Sequence, residues 1–280
     1  MFSSSKSYAG AVPFQIPCGR CIGCRLSRSR DWATRITHEA QQHEESSFLT
    51  LTFAPEHLPS DGSVRTRDVQ LFMKRLRKDV GIKVRFFACG EYGGKGDRPH
   101  YHILIFGYGF PDKTLWRRSP TGHLLYRSAL LEKLWPFGHS EIGTVTTQTA
   151  AYVSRYILKK VNGDLALEHY RRTNPETGEV WQISPEFITM SRKPGIGSTW
   201  FEEFSSDAFP SDFVVIDGAR RPVPRYYKKK LEELEKLKIT SKRKERARKH
   251  AHNNTPNRLE VRELVQQLRL NRLKRDMEEE

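Results

Sequence analysis

The chain has 280 residues, with 48 Lys and Arg against 33 Asp and Glu, a formal net charge of +15, and 37% hydrophobic residues. That composition suits one well-formed core rather than two, and the charge makes a polyanion the expected partner. No apolar run reaches the ~18 residues of a membrane-spanning helix, so no membrane partner is expected.

The first residues, Met1 to Pro17, read as an irregular leader, Ser-rich to Gly10 and without the apolar stretch of a secretory signal. Of four cysteines, three are clustered, unlike a secreted disulfide framework, so a cytoplasmic location is expected. Ser27 to Glu45 permits a helix, with Trp32, Ile36 and Ala40 at four-residue spacing. Ser47 to Phe53 alternates as a strand does, and a turn follows around Pro59 to Gly62. Thr66 or Asp68 is a candidate cap for a helix whose Val69, Phe72, Leu76 and Val80 share a face. Ile82 to Ala88 and Tyr101 to Phe106 read as strands joined by a Gly-rich segment. Ser128 to Trp135 suits a short helix, Glu141 to Thr146 a strand, and Gln148 to Val161 a strong helix.

The order from Ser47 is thus β-α-β-β-α-β-α. It predicts an α+β fold, a central antiparallel sheet flanked by helices. Residues 1–45 form a basic, Cys-containing segment and helix, and residues 46–162 the core. Residues 163–224 are read as an accessory irregular region packed on the core, and residues 225–280 as a charged helical or disordered tail.

His100 and His102 flank Tyr101 in an apolar strand, so both imidazoles point to one face. Glu91 ends the preceding strand, and a hairpin would return the chain to bring it opposite them. Two nitrogens and a carboxylate leave positions open on Mg²⁺ or Mn²⁺, and such an ion polarises a phosphate oxygen. Asp97 is a rival carboxylate, expected in the turn and facing solvent.

Tyr152 and Tyr156 stand at i, i+4 on one helical face, with Lys159 and Lys160 over the next turn. Aromatics at that spacing are usually core. Beside a metal, the same phenols become candidate nucleophiles, with Lys159 stabilising developing charge or holding a phosphate.

In order, Leu49-Thr-Leu-Thr, His100-Tyr-His and Tyr152-x-x-x-Tyr156-x-x-Lys159 resemble the motifs of HUH endonucleases, the rolling-circle replication initiators and their relatives. The paired tyrosines are similar to those of initiators from microviruses, which are single-stranded DNA phages. Pro17-Cys-Gly-Arg-Cys-Ile-Gly-Cys-Arg and Ser191-Arg-Lys-Pro-Gly-Ile-Gly resemble the gokushovirus type in particular. The resemblance implies that Glu91, His100 and His102 are metal ligands, Tyr156 a nucleophile and Tyr152 the second tyrosine. It further implies nicking of single-stranded origin DNA, a 5′-phosphotyrosine adduct, a 3′-hydroxyl primer, and later religation. The chain departs from the family's usual display in placing Tyr101, not a bulky aliphatic, between the histidines; that side chain is expected on the other sheet face.

Cys18, Cys21 and Cys24 form a C-x₂-C-x₂-C run that is a candidate structural Zn²⁺ site, its fourth ligand sought in Cys89, His38 or His43. An iron–sulfur cluster or three plain reduced thiols are the alternatives. Arg25, Arg28 and Lys160 are the candidate DNA contacts, with Arg30, Arg35, Lys74, Arg75, Arg77 and Lys78 as weaker ones. Trp116, Tyr126, Trp181 and Trp200 are candidate base-stacking platforms or core residues. The chain has no G-x-x-x-x-G-K-[ST] loop, so host helicase and polymerase are expected partners. For a phage-encoded protein the location is the bacterial host cytoplasm. The competing readings are a relaxase or transposase of the same superfamily, and a non-catalytic zinc-containing nucleic-acid-binding protein.

Overall fold

In the computed structural model, residues 17–93, 97–156, 160–161 and 163–272 are described. The leader read over Met1 to Pro17 therefore lies outside them except for Pro17.

Seven strands form one sheet in the order β4-β5-β6-β1-β3-β2-β9, and every pairing is antiparallel. Its centre is β1 (Ser46–Thr52), β2 (Arg85–Tyr92), β3 (Pro99–Phe106) and β6 (Ser140–Thr144). The hairpin β4 (Thr114–Arg118) and β5 (Leu124–Arg127) extends one edge, and β9 (Phe187–Met190) closes the other. The expected α+β class is observed, and these three edge strands are additions to the expected order.

Strand alternation divides the apolar residues between two layers. One face presents Leu49, Leu51, Ala88, Tyr101, Ile103 and Ile105 to α2 (Thr66–Val80) and α3 (Ala129–Leu134). The other presents Phe48, Phe87, Cys89, Leu104 and Phe106 to α1 (Ile22–Ala40) and α4 (Thr147–Arg155). Burying each large apolar side chain contributes about 1.5–3 kcal/mol, so the two layers fix which face every strand residue takes.

Local chemistry sets the helix ends. The Ser128 side chain accepts from the Leu131 N–H to start α3, and a reciprocal Thr146–Thr149 capping box starts α4. Gly81, at φ 70°, ends α2 in the left-handed conformation that glycine adopts without a Cβ penalty. Neither expected cap of α2 serves: Thr66 is already helical behind Arg65, and Asp68 accepts the Tyr101 hydroxyl at 2.6 Å.

Residues 163–224 are more ordered than expected. They hold α5 (Leu165–His169), the hairpin β7 (Arg171–Thr173) and β8 (Val180–Gln182), then β9, α6 (Ser198–Ala208) and the hairpin β10 (Phe213–Ile216) and β11 (Ala219–Pro222). Beyond them come α7 (Arg225–Lys230), α8 (Glu233–Lys249) and α9 (Pro256–Asn271), so the described part of the tail is largely helical. A third apolar cluster joins Trp200, Phe201, Val214, Tyr227 and Ile239, tying α6, α7 and α8 together. No helix among the described residues is long and apolar enough to cross a membrane.

Candidate active site

The β2–β3 hairpin has the register that the His-x-His alternation requires. Glu91 stands opposite His100, and Cys89 opposite His102, while β1 places Thr50 opposite His102 on its other side. Glu91 and His102 are each 1% exposed, and His102 Nε2–H donates to Glu91 Oε1 at 2.9 Å. Its Nδ1 lies 3.2 Å from the Thr50 hydroxyl, a group able to donate or accept as the imidazole changes tautomer. His100 Nδ1–H donates to the Arg98 carbonyl at 2.6 Å, which leaves Nε2 as the lone-pair nitrogen of the neutral ring. Burial pushes the His100 pKa down, favouring that neutral, ligating form.

Tyr101 points through the sheet to the opposite layer, as expected, with its hydroxyl between Asp68 and the Arg65 N–H. Asp97 is exposed in the turn and ion-paired to Arg172 at 2.7 Å.

Helix α4 brings its two phenols onto this hairpin. The Tyr156 ring is stacked on His102 at 5.1 Å, the Tyr152 ring meets His102 edge-on at 5.4 Å, and the two phenol rings are 5.0 Å apart. The helix is shorter than the expected Gln148 to Val161: Tyr156 is its C-cap, still in right-handed helical geometry, so the i, i+4 relation survives. Tyr152 is 7% and Tyr156 4% exposed, so both rings are largely packed in the layer beneath α1. Tyr156 nevertheless lines a cavity of about 590 Å³.

That cavity gathers the expected DNA contacts. Arg25, Arg28 and Lys160 line it together with Arg20, and Arg25 Nη2 donates to the Lys160 carbonyl at 3.2 Å. Lys159 lies outside the described residues. Glu186, Phe187 and Ile188 form another part of the wall. Sequence reasoning missed these three, because β9 is a four-residue strand in a stretch of weak periodicity. The Glu186 carboxylate accepts the Tyr170 hydroxyl, which in turn accepts the Val161 N–H at 3.0 Å, bracing the chain just after the tyrosine helix.

The other expected cations are structural. Arg35 lies between the rings of Trp32 and Tyr226, at 4.1 and 3.9 Å, and donates to the Ile196 carbonyl. Arg75 donates to the Leu134 carbonyl, and Arg77 to that of Val84. Trp200 is buried and stacked on His38, which removes it as a platform for bases, whereas Trp116 stays 47% exposed.

Among the described residues, the sulfurs of Cys18, Cys21 and Cys24 form the one group of three metal-type donors all within 4.8 Å of one another. The expected fourth ligands are not part of it. Cys89 is fully buried in the sheet layer beside His102, because β2 carries it inward. His38 is buried against Trp200 and bonded to the Tyr227 hydroxyl, and His43 faces Glu39. The His100, His102 and Glu91 donors are looser than the sulfurs and do not all meet the same 4.8 Å distance. Their chemistry nevertheless fits a divalent ion: two neutral imidazoles with Nδ1 engaged, and a carboxylate already turned to one of them.

An antiparallel sheet that presents a histidine pair to a helix bearing two tyrosines, beside a basic cavity, defines a nucleic-acid-processing type of site. Residues 46–161, which span the sheet centre and the tyrosine helix, match the family of the replication-associated protein ORF2. The chain is 35% identical over 236 residues to replication-associated protein VP4 of Bdellovibrio phage phiMH2K, covering 81% of this chain and 70% of that one. It is 32% identical over 246 residues to replication-associated protein ORF2 of Spiroplasma virus 4, covering 82% and 71%. Replication-associated protein ORF4 of Chlamydia phage 1 is 31% identical over 229 residues, covering 79% and 54%. No solved structure matches. The chain belongs to this family of phage replication-associated proteins, the microvirus-type replication initiators.

Proposed function

We propose that the protein initiates rolling-circle replication by nicking single-stranded origin DNA through tyrosine attack, as HUH endonucleases do. The observation that carries the reading is the stacking of Tyr156 on His102 at the wall of the basic cavity. His100, His102 and Glu91 are the proposed holders of Mg²⁺ or Mn²⁺, and the chemistry such an ion supplies is polarisation of the scissile phosphate. Arg25, Arg28 and Lys160 draw the DNA backbone into the cavity, and Lys159 is the proposed partner for developing charge.

Tyr156 Oη attacks the phosphorus and gives up its proton to solvent. The bond from phosphorus to the 3′ oxygen breaks, and that oxygen takes up a proton. The products are a 5′-phosphotyrosine and a 3′-hydroxyl that a host polymerase extends, with a host helicase opening the duplex. Because the phosphotyrosine retains a phosphodiester linkage, a returning 3′-hydroxyl can attack it and close the strand without ATP. Tyr152 serves the second transfer. The names of the relatives support replication over mobilisation, and as phage proteins they support action in the bacterial host cytoplasm.

The test is incubation with labelled single-stranded DNA and Mn²⁺, followed by a denaturing gel. An adduct that survives denaturation and vanishes in the Tyr152→Phe, Tyr156→Phe double variant is expected; an undiminished adduct in that variant removes these tyrosines from the chemistry.

A further inference from the structure

The start of α1 poses a packing problem. No residue from 17 to 28 is buried, and the first fully buried apolar residue of this helix is Ile36. Yet Arg20, Arg25 and Arg28 in this segment line the Tyr156 cavity. Apolar burial does not hold these cations in place, so another interaction is needed.

The cysteine turn can supply it. Cys18 and Cys24 sulfurs are 4.0 Å apart, and all three sulfurs fall within 4.8 Å. Thiolates bound to one tetrahedral zinc at about 2.3 Å stand about 3.8 Å from each other. The Cys21 N–H donates to Cys18 Sγ at 3.3 Å, a bond that stabilises a thiolate. That donor, with the Arg20 N–H, draws the Cys18 pKa down to about 7. The turn sits at the N-terminus of a 19-residue helix, where the dipole favours negative charge. Three thiolates around Zn²⁺ leave one negative charge, which Arg20, Arg25 and Arg28 offset. Residues 1–16 contain no Cys, His, Asp or Glu, so they add no fourth ligand of those types.

We propose that Cys18, Cys21 and Cys24 hold one zinc ion, with water in the fourth position, and that this ion locks the start of α1 so that Arg25 and Arg28 face the cavity. The zinc site stands independently of the reading given above; the locking role rests on that reading of the cavity as the DNA site.

Zinc is measured by elemental analysis on the full chain, purified under a thiol reductant. One zinc per chain is expected, lost in a Cys18→Ser, Cys21→Ser, Cys24→Ser variant and kept in Cys89→Ser. A zinc-free wild type, zinc retained by the triple variant, or an iron–sulfur absorption spectrum overturns the site. Single-stranded DNA binding is then followed against salt, with the fold of each variant checked by circular dichroism. Loss of two phosphate contacts, at about 0.7 each, lowers the slope of log K against log salt by about 1.4 in the triple variant. An Arg25→Ala, Arg28→Ala variant keeps its zinc and shows the same drop, and it decides the cation contribution should the cysteine variant misfold. An unchanged slope in either variant overturns the locking role. A wild-type chain that binds zinc but no DNA overturns the cavity reading and the locking role together, and leaves the zinc site standing.

Discussion

The imidazole of His102 and the phenol of Tyr156 lie nearly parallel, 5.1 Å apart with an interplanar angle of 13°. Glu91 holds one ring nitrogen of His102 and Thr50 sits by the other, so the strand hairpin fixes the surface on which the tyrosine rests.

The two histidines should separate chemistry from stability. His100→Ala, at the half-buried end of the hairpin, is expected to cut nicking by about 10²-fold or more with a stability change of about 1 kcal/mol or less. His102→Ala should lose nicking and also about 2–4 kcal/mol, because it opens a cavity and removes the group that Glu91 accepts from. Adduct gels and thermal melting check both, and wild-type nicking by His100→Ala removes it from the metal set.

Folding stability should fall in acid through His38. Burial holds its pKa down to about 4, against about 6.5 for an exposed imidazole, so it is neutral in the folded chain. The unfolded chain binds the extra proton first. The stability is therefore whole above about pH 6.5 and is lost as pH drops towards 4, by about 3 kcal/mol. Urea melts across that range should show the slope, and His38→Gln should flatten it; a variant with the wild-type slope assigns the proton uptake elsewhere.

Glu39 is fully buried near the end of α1 and ties three segments together. Its carboxylate accepts from Arg85 on β2 and from the Gly197 N–H at 2.6 Å, with His43 at 3.5 Å. Burial alone would push its pKa up, but those hydrogen bonds outweigh it and hold the carboxyl below the usual range. Glu39→Ala is expected to cost about 3–5 kcal/mol, since it strands a half-desolvated guanidinium. Glu39→Gln, which can still accept from Gly197, should cost less. Equal melting of the two variants by denaturant would show that the charge contributes nothing.

Gly197 needs to be glycine on two grounds. Its φ is 73°, and a Cβ would come within 2.5 Å of the Tyr227 hydroxyl. Gly197→Ala should destabilise by about 2–4 kcal/mol, combining left-handed strain with overpacking. Gly178, with φ 72° and nothing near a Cβ, isolates the strain alone and should cost about 1–2 kcal/mol. Similar melting shifts for both alanine variants would rule out the Tyr227 clash.

The run Ser191-Arg-Lys-Pro-Gly-Ile-Gly was legible as a motif but not as a structure. Its Pro194 carbonyl receives Arg85, Gly197 meets Glu39 and Ile196 receives Arg35, so it fastens α1 to the sheet and carries no cavity contact. Arg35 and Arg75 show the same difficulty: an arginine that donates to a buried carbonyl looks, in sequence, like one that awaits a phosphate.

The sequence by itself determined the faces. His100 and His102 share one because side chains alternate along a strand, and Tyr152 and Tyr156 share one because a helix repeats every 3.6 residues. Both periods are local and survive any tertiary arrangement. Only the tertiary structure decided that the two faces meet, that α1 delivers Arg25 and Arg28 to Tyr156, and that β9 closes the cavity with Phe187. Contacts between distant segments depend on how whole layers pack, and layer packing leaves no period in the chain to read.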